Sequence, residues 1–198
     1  VSVHGANRLG TNSLLDASLF GRRAGVAMAE AILAGRDLAP VGGNPLGDTQ
    51  ARLRALFEAA GTESVAELGE ALKTSMTEDC GVFRDGDGLE RARQTTDELR
   101  HRFRQAKVRD RSRRFNTDLL DALETGHLLD FSQVIVAGAQ ARTESRGAHF
   151  RTDFPKRDDQ VWLQHTLAFR QGEGEPPRLA YRPVRIDWEK YPPQERKY

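Results

Sequence analysis

Asn116-Thr117-Asp118-Leu119-Leu120-Asp121-Ala122-Leu123, continuing through Phe131 and Ile135 to Ala139, is the stretch that decides the fold. Asn116 or Thr117 offers a side-chain oxygen to the unpaired N–H groups of a helix start, and leucines recur at three and four residues after it. Between Leu128 and Ala139 apolar residues fall on several faces, so the spacing predicts a long, central, mostly buried helix.

Upstream, three shorter apolar patterns share the helical period. Leu53, Leu56 and Phe57 lie on one face; Val65, Leu68, Leu72 and Met76 form a second stripe; Leu89, Ala92, Thr96, Leu99 and Phe103 form a third. Short connections between such segments give a mainly α fold, an antiparallel helical bundle over residues 51–144. Beyond Glu144 the texture turns to Gly, His, Asp, Pro and isolated aromatics. His165–Phe169 and Arg178–Arg185 have strand character, and predict a short β-hairpin across Gln171–Pro177 within a C-terminal extended region, 145–198.

At the other end, Asn12 or Ser13 caps a helix from about Leu14 to Leu33 that stops at Gly35. Gly21, Ala24, Gly25 and Ala29 leave its middle turns nearly bare, as suits a helix packed tightly on a larger body. Turn formers crowd Pro40–Gly47, so residues 1–35 read as a separate segment and 36–50 as a linker.

Composition narrows the function classes. The 198 residues carry 30 basic against 29 acidic side chains and are 38% hydrophobic, enough for one packed domain but too balanced for bulk polyanion binding. Cys80 stands alone, which excludes an internal disulfide and a Cys-rich zinc site. No apolar run approaches the roughly 20 residues of a membrane helix. Of the basic residues 25 are arginine, the planar fork suited to carboxylates.

The segment His4-Gly5-Ala6-Asn7-Arg8-Leu9-Gly10-Thr11-Asn12-Ser13-Leu14-Leu15-Asp16 is a glycine-flexed loop with one arginine, running into a helix N-terminus. Unpaired N–H groups and the positive end of the helix dipole there favour an anion or a negatively polarised oxygen. On spacing alone, an ordinary capped helix start with a surface arginine accounts for it better.

That loop resembles the second flavin-contacting motif of the succinate dehydrogenase/fumarate reductase flavoprotein family. The likeness continues through Phe20-Gly21-Arg22-Arg23-Ala24-Gly25, Gly81-Val82-Phe83-Arg84, Phe115-Asn116-Thr117-Asp118-Leu119-Leu120, Glu144-Ser145-Arg146-Gly147-Ala148-His149 and Asp153-Phe154-Pro155-Lys156-Arg157-Asp158-Asp159. Trp162, His165-Thr166-Leu167 and Tyr181-Arg182-Pro183 complete it in order. The resemblance implies that Arg8 grips a carboxylate of succinate or fumarate. It also implies that Ser13 and Leu14 lie against the ring of FAD, with Asn7, Gly10 and Asn12 shaping the loop.

No G-x-G-x-x-G fingerprint occurs. By the resemblance, the chain is therefore the C-terminal third of a flavoprotein subunit, with residues 1–35 completing a FAD-binding α/β domain. Its implied partners are the N-terminal FAD-binding and capping domains of the same subunit, an iron–sulfur subunit and, indirectly, membrane anchor subunits, on the cytoplasmic or matrix face of a membrane. The fragment alone is expected neither to retain FAD nor to oxidise succinate. The Tyr181-Arg182-Pro183 and Tyr191-Pro192-Pro193 pattern, with Asp16 after Ser13-Leu14-Leu15, resembles succinate dehydrogenase more than the related L-aspartate oxidase. Fumarate reductase shares the architecture and runs the net reaction in reverse, a direction set by cofactor potentials and quinone; a helical interaction or nucleic-acid-binding module is the alternative of another class.

The Glu144–His149 turn holds an acid, a hydroxyl and an imidazole, but reads better as a structural turn in which Glu144 pairs with Arg142 and Arg146. His149 and His165 read as hydrogen-bonded structural residues, with no metal-ligand spacing around them, and Cys80 as a packing residue. Arg100–Arg114 holds eight Lys/Arg against one acid, Asp110; no nucleic-acid-binding motif accompanies it, and it reads as a solvated, partly ion-paired face.

Overall fold

The computed structural model describes residues 12–35, 40–172, 175–187, 189, 190, 192 and 194. Among the described residues five helices and six short strands follow in order: α1 (Asn12–Leu33), α2 (Gly47–Glu58), β1 (Glu63–Ser64), α3 (Val65–Glu78), β2 (Phe83–Arg84), α4 (Gly86–Phe103), β3 (Ala106–Lys107), α5 (Thr117–Ala141), β4 (Phe150–Arg151), β5 (Gln164–Phe169) and β6 (Arg178–Pro183). The mainly helical class holds. Asn12 is already the first helical residue of α1, and α2 starts at Gly47, inside the stretch read as linker.

Local chemistry sets the helix starts. The Ser64 hydroxyl accepts from the Glu67 N–H, the Asp85 carboxylate from the Gly88 N–H at 2.7 Å, and the Asn116 amide oxygen from the Leu119 N–H at 2.8 Å. Asn116 thus takes the cap, and its Nδ2 donates to the carbonyls of Asp110 and Ser112, pinning the preceding loop. A cap of this kind stabilises a helix by about 1 kcal/mol.

α3, α4 and α5 form the core. Antiparallel α4 and α5 are visible in the pairing of Asp97 with Gln133 and of Glu90 with Gln140, which runs in opposite chain directions. One apolar cluster gathers Val65, Leu68, Leu72, Leu99, Val108 and Leu129; a second gathers Cys80, Leu89, Ala92, Val136 and Ala139, and Met76 packs on both. Burying a leucine such as Leu68 or Leu89 contributes about 2 kcal/mol. Two parallel strand pairs, β1 with β3 and β2 with β4, tie the ends of these helices together. The predicted hairpin is present as antiparallel β5 and β6, in register from Gln164 opposite Pro183 to Phe169 opposite Arg178.

The expectation for α5 needs correction. Its buried face consists of Ala122, Thr125, Gly126, Leu129, Ser132, Val136 and Ala139, whereas Leu120, Leu128, Phe131 and Ile135 are exposed. Small residues let the neighbours approach: a Cβ on Gly126 would stand 3.0 Å from the Phe103 ring. α5 is central to the bundle on one side only. α1 buries none of its residues among the described residues, and Leu14, Leu15, Ile32 and Leu33 are all exposed.

Candidate functional site

Two places were singled out by sequence. The first is the segment His4–Asp16. Arg8, Asn7 and Gly10 lie outside the described residues; Asn12, Ser13 and Leu14 form the first turn of α1. Leu14 is 71% exposed, and the turn itself holds no acidic residue, with Asp16 following it.

The second place is the turn that follows α5. Its centre is Glu144, fully buried. Oε1 accepts from Arg142 Nη1 at 2.5 Å and from Arg146 Nε at 2.7 Å; Oε2 accepts from Arg146 Nη2 at 2.9 Å and from the Asp158 N–H at 2.8 Å. Both oxygens are therefore fully engaged, which leaves the carboxylate no lone pair facing a substrate. The Arg146 guanidinium also meets Asp159 at 2.6 Å, and Asp159 meets Arg157 at 2.8 Å, so alternating charges run through the turn. Gly147 supplies the left-handed backbone (φ 61°) that brings Arg146 back against His149.

Arg142 carries the bundle into the hairpin. Nη1 donates to the Trp162 carbonyl, Nη2 to the Gln164 carbonyl and the Thr166 hydroxyl, and the guanidinium lies 5.0 Å from the centre of the Trp162 ring. Trp162 in turn donates from Nε1 to Thr143 Oγ1 and meets Tyr181 edge-on at 5.6 Å. The tryptophan therefore joins α5, the turn and both hairpin strands.

His149 is half-buried with both ring nitrogens engaged. Nδ1 stands 3.1 Å from Arg84 Nη1, which is always a donor, so Nδ1 accepts; Nε2 then carries the proton and donates to the Arg142 carbonyl at 3.2 Å. Burial, followed by the charges of Arg84, Arg142 and Arg151, pushes the imidazole pKa below its usual 6.5. The structural readings of His149 and of the Glu144 turn hold. Cys80 is likewise a packing residue, its thiol pKa pushed up by burial.

Sequence reasoning missed Arg151. It is almost fully buried, donates from Nη1 to the carbonyls of Ala139 and Gln140 at the end of α5, and grips Asp153 with Nε and Nη2. A guanidinium at a helix C-terminus satisfies carbonyls that have no partner within the helix. The signal was Arg151 two residues before Asp153. Of the basic stretch, Arg100 pairs with Asp130, Arg102 with Glu63 and Glu98, and Arg111 donates to the carbonyls of Phe57 and Ala59. The partly ion-paired reading of that stretch holds.

Residues 69–198 match the family described as fumarate reductase flavoprotein C-term. The chain is 41% identical over 201 residues to the succinate dehydrogenase flavoprotein subunit of Coxiella burnetii, covering 99% of this chain and 33% of the relative. It is 42% identical over 204 residues to the fumarate reductase flavoprotein subunit of Serratia sp., covering 100% of this chain and 33% of the relative. A solved structure of E. coli quinol fumarate reductase superposes with TM-score 0.87 at 36% identity, over 98% of this chain and 33% of that one. The chain belongs to the succinate dehydrogenase/fumarate reductase flavoprotein family, as the C-terminal helical domain of such an oxidoreductase subunit. It spans about a third of the length of the curated relatives it matches.

Proposed function

We propose that this chain is the C-terminal part of the flavoprotein subunit of a succinate dehydrogenase, which oxidises succinate to fumarate and passes the electrons to an iron–sulfur subunit held at a membrane through anchor subunits. No helix among the described residues is long and apolar enough to cross a membrane, in keeping with attachment through partners. The observation that carries the reading is the sequence His4–Asp16, whose last residues, Asn12–Asp16, open α1. Relatives of nearly equal identity bear the names of both succinate dehydrogenase and fumarate reductase. The Tyr181-Arg182-Pro183 and Tyr191-Pro192-Pro193 pattern, with Asp16, supports succinate dehydrogenase over L-aspartate oxidase; the direction of the succinate–fumarate reaction is set by cofactor potentials and the quinone.

FAD, when bound, supplies the two-electron acceptor. The residues present fit it: Ser13 and Leu14 stand in the first turn of α1, at the positive end of the helix dipole. They would stabilise negative charge on a ring oxygen, and the outward Leu14 side chain offers an apolar contact to a flat ring. Arg8 would bind one substrate carboxylate with both arms of its guanidinium and keep its charge at any working pH. That grip fixes the orientation of the substrate's central C–C bond. Asn7, Gly10 and Asn12 would hold the loop in shape. Residues 1–35 then complete a FAD-binding domain, 36–50 link it to the bundle of 51–144, and 145–198 form the extended C-terminal region.

The test uses the full-length subunit carrying this segment, assayed with succinate, fumarate and L-aspartate. Arg8→Ala should lower kcat/KM for succinate by about a thousandfold or more, the loss of a charge-assisted two-point contact made in the transition state (about 4 kcal/mol). Arg8→Lys should recover only part of it. Turnover of L-aspartate in place of succinate, or full activity of Arg8→Ala, would overturn the reading. The 198-residue chain by itself should be colourless and inactive.

A further inference from the structure

Phe115 stands where the fold has no use for it. It ends the loop between β3 and α5 with a φ of 52°, the one non-glycine residue in left-handed backbone among the described residues, and its side chain is 100% exposed. Glycine or asparagine takes that conformation at little cost, whereas a bulky side chain does not. A phenylalanine that strains the backbone and buries no surface adds nothing to the stability of its own chain. Strain of this kind collects where a protein grips something else.

The loop is pinned and positively charged. Asp118 Oδ2 accepts from the Arg109 N–H and, at 3.0 Å, from the Asp110 N–H; the Asp110 carboxylate accepts from the Ser112 N–H at 2.7 Å and from its hydroxyl at 2.9 Å. Asn116 Nδ2 donates to the carbonyls of Asp110 and Ser112, both at 2.9 Å. Both carboxylates of the loop are thus turned onto its own groups, and Arg111 is spent on the carbonyls of Phe57 and Ala59. Lys107, Arg109, Arg113 and Arg114 are all exposed, and none forms an ion pair among the described residues. A fixed aromatic ring beside free guanidinium forks has the anatomy of an interface anchor: aromatics and arginine dominate binding energy, and a preorganised backbone lowers the entropy lost on docking.

We propose that the β3–α5 loop is a docking element for an acidic segment of a partner protein, one whose apolar side chains enclose the Phe115 ring while its carboxylates meet Arg113 and Arg114. Charge complementarity fixes the sign of the partner, and the planar fork of arginine suits carboxylates. The pinned backbone fixes its kind. A fluid bilayer accepts a mobile side chain as readily as a rigid one, and gains nothing from a strained loop. Nucleic acid calls for further stacking surfaces and an excess of positive charge, but Phe115 is the lone aromatic of the loop and the chain's charges balance at 30 to 29. The inference does not depend on the flavoprotein reading.

The experiment titrates the chain into a fluorescein-labelled peptide of glutamates flanking a central Leu-Trp-Leu, read by fluorescence anisotropy. Phe115→Gly removes the ring and suits the backbone, so it should keep or raise the melting temperature while weakening binding about tenfold or more. Arg113→Glu/Arg114→Glu should abolish binding, and a peptide with glycines in place of Leu-Trp-Leu should bind wild type and Phe115→Gly alike. No saturable binding by wild type, or equal affinity of wild type and Phe115→Gly for the first peptide, would overturn the inference. Tighter binding to phosphatidylserine-containing vesicles, or to single-stranded oligothymidine, would assign the loop to a membrane or to nucleic acid and overturn it as well. In the full-length subunit carrying this segment, hydroxyl-radical footprinting should find Phe115 as reactive as in the isolated chain. Protection there would assign the ring to packing within the subunit, and the inference would fall.

Discussion

The Arg146 guanidinium meets the buried Glu144 carboxylate at two points, Nε to Oε1 at 2.7 Å and Nη2 to Oε2 at 2.9 Å. Arg142 and the Asp158 N–H take the remaining acceptor positions, so one carboxylate bridges two arginines, sharing Arg146 with Asp159, and closes the turn between bundle and hairpin. Removing it leaves the Arg142 guanidinium without a carboxylate partner among the described residues. Glu144→Ala should cost about 3–5 kcal/mol, and a Glu144/Arg146 double-mutant cycle in urea should give a coupling above about 1 kcal/mol. A loss within about 0.5 kcal/mol, the size of an ordinary surface substitution, would show that the turn holds without the pair.

His149 sets a pH dependence whose sign follows from its surroundings. Burial, then Arg84, Arg142 and Arg151, lowers its pKa in the folded chain below 6.5. The folded state therefore binds fewer protons than the unfolded one between the lowered value and 6.5. Stability gained through the neutral ring is complete above 6.5 and falls as the pH drops through that window. Thermal melts of wild type and His149→Gln between about pH 7.5 and 5 should show the wild-type advantage shrinking with acid. A constant difference would place the imidazole outside the titrating set.

The helices α3 and α4 were legible because large apolar residues mark their buried faces: Leu68 and Leu72, and Leu89 and Leu99, are all buried as their spacing requires. The hairpin was legible from alternation on either side of a Gly- and Pro-rich turn. In α5 the rule inverted, since Ala122, Gly126 and Ser132 face the core while Phe131 faces out. Periodicity weighs hydrophobicity and cannot see that close approach of neighbouring helices favours the small face. The Glu144 pairing was legible from three charged residues close in sequence. Arg151 left only its spacing to Asp153 as a sign, because the carbonyls of Ala139 and Gln140 that it also serves leave no trace in side-chain chemistry.

Asp153 ties the strand after the turn to the start of α4. Its carboxylate takes both arms of Arg151 and the Gly86 N–H at 3.0 Å, and the hydrogen bonds from Arg151 above all lower its pKa from 3.8 to about 2. The contribution is present above 3.8 and is lost as the pH falls from 3.8 toward 2. The side chain is 34% exposed, and solvent screening holds the effect to about 1 kcal/mol. Asp153→Asn should lower the urea midpoint at neutral pH and converge on wild type near pH 2. Divergence that persists at that acidity would trace the loss to packing instead.

Three helical glycines separate propensity from packing. Replacing glycine by alanine inside a helix gains about 1 kcal/mol when the site has room. A methyl group added at Gly138 would have no neighbour within 4 Å, and one at Gly69 would meet only Thr125 Oγ1 at 3.8 Å, an ordinary contact. At Gly126 the same methyl would stand 3.0 Å from one Phe103 ring carbon and 3.1 Å from the next, so the ring must move away from its place against the core. Overpacking of that kind costs about 1–3 kcal/mol, enough to cancel or reverse the helical gain. Gly138→Ala and Gly69→Ala should therefore raise the melting temperature by a few degrees, and Gly126→Ala should leave it unchanged or lower it. A Gly126→Ala/Phe103→Leu pair separates the two effects, because the smaller side chain removes the clash and lets the alanine recover its helical gain relative to Phe103→Leu alone. Equal stabilisation by all three single substitutions would mean that Phe103 can swing aside at no cost, and that the close approach of α4 to α5 does not depend on glycine.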